Sequence, residues 1–152
     1  MGTSSVSRIV QVATDEVRIP VSRVRVQRIA DAVLRAERVR DAVVSITFVS
    51  DRAMAALNKR HLGHRGPTDV ISFGFAPAAK GAPLTGDVYI APDVARRNAA
   101  AHGAGVREEL LRLVVHGMLH VTGHDHPVDD ARYASPMWKR QEQLLRRELA
   151  RA

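Results

Sequence analysis

The segment from Val106 to Val121 constrains this chain more than any other. Read at helical spacing, Leu110, Leu111, Val114, Val115 and Met118 form one apolar side, and Leu113 and Leu119 carry apolar surface towards the opposite one. A helix that is apolar so far round is buried over most of its circumference, so it belongs at the centre of the fold. The stripe that remains holds Glu109, Arg112, His116 and His120. The two histidines are four residues apart, so both imidazoles leave the helix on one face and can hold one metal ion. They line an internal cleft rather than a free surface. Glu109, two turns earlier, is either an acceptor behind a liganding ring or a salt-bridge partner.

Four of the seven histidines lie between His116 and His126. Gly123 follows His120 by three residues and can end the helix at positive φ, turning the chain back. That return brings His124 and His126 within reach as a third ligand, and the other is left free to carry a proton. Three neutral imidazoles leave a fourth position open, which is the pattern of catalytic rather than structural zinc. Asp125 either orients a liganding ring or forms an Asx turn.

Around this helix the chain alternates short strands and helices. Arg8–Val12, Ala42–Val49, Val70–Phe75 and Asp87–Ile90 read as strands, the second as a buried one. Helices are expected from Pro20, from the Ser50 cap to about His61, over Pro92–His102, over Val106–Val121 and over Pro136–Leu149. The fold class is therefore α+β: a single domain over residues 1–152, with a small mixed four-stranded sheet, about five helices and a metal site at the end of a central helix. Residues 1–6 are expected to fray.

Charge and composition bound the partners. Lys and Arg total 23 against 16 Asp and Glu, a net charge of +7, which favours a polyanion such as nucleic acid. An arginine-rich composition accounts for the same excess without any partner. The few aromatic residues (one Trp, two Tyr, three Phe) argue against a large base-stacking surface. With no cysteine, disulfides, thiolate metal sites and thiol nucleophiles are excluded, and a reducing compartment fits. No apolar run approaches the ~18 residues of a membrane span, and the N-terminal residues lack an apolar signal core.

Metzincin proteases share the histidine and glycine spacing of His116, His120, Gly123 and His126, and that spacing selects His126 over His124 as third ligand. Gly117 stands where those enzymes carry their glutamate. Without that general base an amide leaving group has no proton supply, which sets ordinary peptidase activity aside. Gly117 also costs the helix ~1 kcal/mol relative to Ala. Either space beside the metal is needed for a bulky substrate, or packing there tolerates glycine.

The block His116-Gly-Met-Leu-His120-Val-Thr-Gly123-His-Asp-His126 resembles the signature of the YbeY family of bacterial zinc-dependent endoribonucleases, the rRNA maturation factors. Leu57-Asn58, Pro67-Thr68-Asp69-Val70-Ile71-Ser72-Phe73, Gly86-Asp87-Val88-Tyr89-Ile90 and Met137 resemble further blocks of that family in order, over about Val43 to Leu149. The resemblance implies one Zn2+ per chain, or another divalent transition metal, held by His116, His120 and His126. It implies cleavage of single-stranded ribosomal RNA during maturation of the small ribosomal subunit, with that subunit or its assembly factors as partners, in the bacterial cytoplasm. His124 is the nominee for proton donor. The family commonly has Tyr-Arg where this chain has His61-Leu62, so Arg60 or Arg65 is the candidate for the RNA contact. The alternatives are a ribosome-assembly binding factor with a mainly structural metal, and a metzincin-like zinc peptidase.

Overall fold

A computed structural model describes residues 6–127 and 130–151. The elements run β1 (Ser7–Asp15), α1 (Arg23–Ala36), β2 (Asp41–Val49), α2 (Asp51–Leu62), β3 (Val70–Phe75), β4 (Leu84–Ile90), α3 (Pro92–Ala101), α4 (Val106–Val121), a 3-10 turn (Asp130–Ala134) and α5 (Pro136–Leu149). The strands form one mixed sheet in the order β1-β2-β4-β3. β1 and β4 both pair parallel with β2, and β3 closes the edge antiparallel to β4.

Alternation in β2 shows how the sheet is used. Ala42, Val44, Ile46 and Phe48 are wholly buried and pack in one core with Val26, Ile29, Val33 and Leu34 of α1 and with the apolar side of α4. Val43, pointing the other way, is 38% exposed. The strand is thus covered on one face along its length rather than on both. A smaller cluster under α2, built on Met54, Val49, Ile71 and Ala91, covers part of the second face.

Three boundaries differ from the sequence reading by more than a residue, each for a local reason. α1 begins at Arg23, not at Pro20, because the Ser22 hydroxyl accepts the Arg25 amide at 3.0 Å and takes the cap position. β1 runs on to Asp15 because each added residue pairs with β2 up to Val49. β4 starts at Leu84 because the ladder to β2 runs from Ala42 through Thr85 and Gly86, and Gly86 has little strand propensity of its own. Of the stretch expected to fray, residues 1–5 lie outside the described residues and Val6 is exposed.

Small residues decide where α4 lies. A Cβ on Gly117 would stand 2.6 Å from a methyl of Val88, and one on Gly86 2.6 Å from a methyl of Val121. Gly74, paired directly with Gly86 across β3 and β4, would meet the Val121 carbonyl oxygen at 2.7 Å. The helix therefore lies close against the sheet at these points, and any side chain added there would push it away. Gly117 faces the core, so it makes no room for a substrate beside the histidines. Gly117→Ala should destabilise the protein by about 1 kcal/mol or more, overpacking outweighing the gain in helix propensity. Urea unfolding checks this, and adding Val88→Ala should recover part of the loss.

Candidate metal centre

α4 carries His116 and His120 to its C-terminal end, and the chain beyond it supplies His126. Gly123 takes φ 106°, and the His124 amide donates to the Leu119 carbonyl at 2.9 Å, closing the helix and sending the chain back past its last turn. The ligand nitrogens of His116, His120 and His126 lie within 4.8 Å of one another. His116 Nε2 stands 3.1 Å from His120 Nε2 and 3.3 Å from His126 Nε2.

The far side of each ring is held. His116 Nδ1 donates to Gln141 Oε1 at 2.6 Å, His120 Nδ1 to the His124 carbonyl at 3.0 Å, and His126 Nδ1 to the Pro127 carbonyl at 2.7 Å. These acceptors place the proton on Nδ1 in each neutral ring, so the three Nε2 lone pairs face one another. Without a cation that arrangement is repulsive. A tetrahedral ion at ~2.0–2.1 Å from each nitrogen would separate them by about 3.3–3.4 Å, close to the two spacings measured from His116. The three residues fit a divalent metal with nitrogen preference, and His116 and His126 also line a cavity of about 750 Å³.

Burial reinforces the neutral state. It lowers the pKa of His116 from 6.5 to about 4, the Gln141 hydrogen bond opposing and the other two rings assisting. His120 is likewise lowered, first by burial and then by His126.

Gln141 was not singled out in the sequence, yet it is 1% exposed and anchors His116. Its own amide donates to Glu142 Oε2 at 3.0 Å, which also accepts from Arg112 Nε at 2.9 Å. Burial pushes the Glu142 carboxyl up, but the Arg112 and Gln141 hydrogen bonds outweigh it and hold the group below its usual range. The signal was available: Gln141 interrupts the stripe Met137, Leu144, Leu145 on the buried side of α5, and a buried amide needs partners.

Other expected residues go elsewhere. Glu109 bonds Arg112 at 3.0 Å and makes no hydrogen bond to a histidine among the described residues; its salt-bridge role is the one realised. Asp125 accepts the His126 amide at 2.9 Å, an Asx-type contact that shapes the loop rather than a ring. The His124 ring pairs with Glu37, which Arg140 also holds, so it is turned away from the three-ring cluster and contributes only its carbonyl. Arg60 and Arg65 are exposed and neither lines the cavity. The cavity wall instead includes Asp69, Arg132, Tyr133 and Trp138, none of which the sequence reading placed there.

A single α+β domain whose central helix and following loop converge three imidazoles on a cleft defines a class of metal-site protein with the donor set of zinc hydrolases. The model of the family described as Endoribonuclease YbeY matches residues 10–148, and the chain belongs to that family. It is 39% identical over 136 residues to an endoribonuclease YbeY of Frankia alni, spanning 82% of this chain and 74% of that one. To the endoribonuclease YbeY of Thermobifida fusca it is 36% identical, spanning 86% and 88%. A solution structure from Thermotoga maritima shares the fold with a TM-score of 0.63 at 22% identity, covering 94% of this chain and 91% of the other.

Two outcomes follow from this geometry. Between pH 6.5 and about 4 the unfolded chain binds a proton at His116 that the folded, metal-free chain refuses. Stability should therefore fall as pH drops through that window, by up to about 3 kcal/mol, in urea unfolding of chelator-treated protein. Gln141→Leu should weaken metal binding about 10–100-fold, read by competition with a chelator of known affinity.

Proposed function

We propose that this chain is a zinc-dependent endoribonuclease that cuts single-stranded RNA during maturation of small-subunit ribosomal RNA. The convergence of three Nδ1-tethered imidazoles on one point beside a cavity carries the reading, and membership of the YbeY family supports the substrate class. His116, His120 and His126 would hold the ion, contributing no charge of their own. Bound there, a divalent cation supplies Lewis-acid charge at the scissile phosphate and eases deprotonation of an attacking hydroxyl.

The rest is done by the protein. The net charge of +7 draws a polyanion towards the domain. Burial holds the Asp69 carboxyl above its usual range, so this residue on the cavity wall is suited to take up and return a proton. It stands in the role first given to His124, whose ring is committed to Glu37. At Gly117 the neighbouring Val88 leaves no room for a carboxylate, so the proton an amide leaving group requires is not supplied in the metzincin manner. Phosphodiester cleavage places its developing charge on oxygens that a cation stabilises directly.

Ribosomal RNA, the small ribosomal subunit and the bacterial cytoplasm complete the proposed setting. No helix among the described residues is long and apolar enough to cross a membrane. His120→Ala should lose bound zinc and cleavage of an unstructured RNA together while keeping its circular dichroism spectrum. Cleavage that persists without metal would overturn the reading, as would a variant that loses metal yet still supports ribosomal RNA processing, which is the behaviour of an assembly factor.

A further inference from the structure

The cavity beside the metal centre has an aromatic and cationic wall. Arg132, Tyr133 and Trp138 line it together with His116 and His126. The rings of Tyr133 and Trp138 meet edge to face, centroids 4.8 Å apart at 77°. Tyr133 is 50% exposed, so its ring faces solvent rather than the core. The Arg132 guanidinium sits 5.0 Å over that ring and donates to the Tyr133 hydroxyl at 3.0 Å. Ser135 holds the group in place: its hydroxyl donates to the Arg132 carbonyl at 2.6 Å and accepts the Trp138 amide at 3.2 Å.

This cluster belongs to neither hydrophobic core. The chain has one Trp and two Tyr, and two of these three residues line the cavity that the metal centre opens onto. Arg132 lines the same cavity as His116, His126 and Asp69. It holds no carboxylate among the described residues, unlike Arg112, Arg140 and Arg8.

Resting on the ribonuclease reading, we infer that Tyr133 and Trp138 form a stacking platform for one unpaired nucleobase and that Arg132 binds an adjacent phosphate, seating the scissile bond at the three imidazoles. The volume of about 750 Å³ falls within the ~300–1,000 Å³ of small-ligand pockets. A base held in a duplex cannot enter such a site without being unstacked, so the platform selects single strands. Every base offers a π-face, so it does so with little sequence preference. Arg132 thereby supplies a phosphate contact inside the cavity, which neither Arg60 nor Arg65 lines.

Trp138 is the sole tryptophan, so its fluorescence reports the platform directly. Wild-type protein mixed by stopped flow with a short unstructured oligoribonucleotide should show quenching before cleavage. An abasic oligomer of equal length should show none. Trp138→Ala should raise KM about ten- to hundredfold with kcat little changed, and Trp138→Phe should restore most of it. Tyr133→Ala, at a half-exposed position, should raise KM in the same sense without loss of fold. Arg132→Ala should flatten the dependence of log KM on log salt by about 0.7, one phosphate contact on a single strand. Equal quenching by the abasic oligomer, or an unchanged KM in both aromatic variants, overturns the platform. Cleavage without quenching also overturns it and leaves the ribonuclease reading standing. Quenching in a chain that cleaves no RNA supports the platform and removes the ribonuclease.

Discussion

The contact of α4 with the sheet is the constraint on which the rest depends. At Gly117 against the Val88 side chain, and at Val121 against the Gly74–Gly86 pair, helix and strands meet with a glycine on one side of each contact. This fixes both the depth and the rotation of the helix. With Gly117 turned to the sheet, His116 reaches Gln141 of α5 and the cavity, and His120 reaches the His124 carbonyl. The glycine that looked like a missing catalytic residue is a packing residue, and the same close approach that requires it denies the position to a glutamate.

The second constraint is the orientation of the rings. Three imidazoles on a helix and its following loop could point in many directions. Here each Nδ1 meets a fixed acceptor, two of them main-chain carbonyls and one the buried amide of Gln141. Gln141 is in turn held by Glu142, and Glu142 by Arg112. A chain of hydrogen bonds thus runs from α4 out to α5 and back to a metal-binding ring of α4. Its role is to settle a tautomer and an angle, which is what such outer partners do at metal sites.

Function follows from how these parts share one cleft. His116 and His120 are kept neutral by burial, so protons do not compete for these two rings near neutral pH. Asp69 lies on the same wall, and Arg132 with two aromatic rings lies beside it. Metal-binding nitrogens, a desolvated carboxyl and a cationic aromatic wall thus meet in one cleft. A small, closed zinc knot would need neither of the last two.

Much of this was legible in the residues alone. The apolar wrap of Val106–Val121 marks the central helix, the i, i+4 spacing puts His116 and His120 on one face, and Gly123 permits the return that brings His126 alongside. These are local properties, set by helical period and by the φ range open to glycine. What local pattern could not decide is which partners arrive from afar. Gln141 is 25 residues from His116, and Glu37 is 87 residues from His124. Asp125 and His124 sit beside the ligating positions in sequence yet turn to other partners, while Arg132, Tyr133 and Trp138, outside the histidine block, form the wall of the cleft. Spacing along the chain determined the donor set. Only the folding of α5 and the preceding turn against α4 decided what surrounds it, because side-chain contacts between distant segments depend on packing geometry that no short-range period encodes.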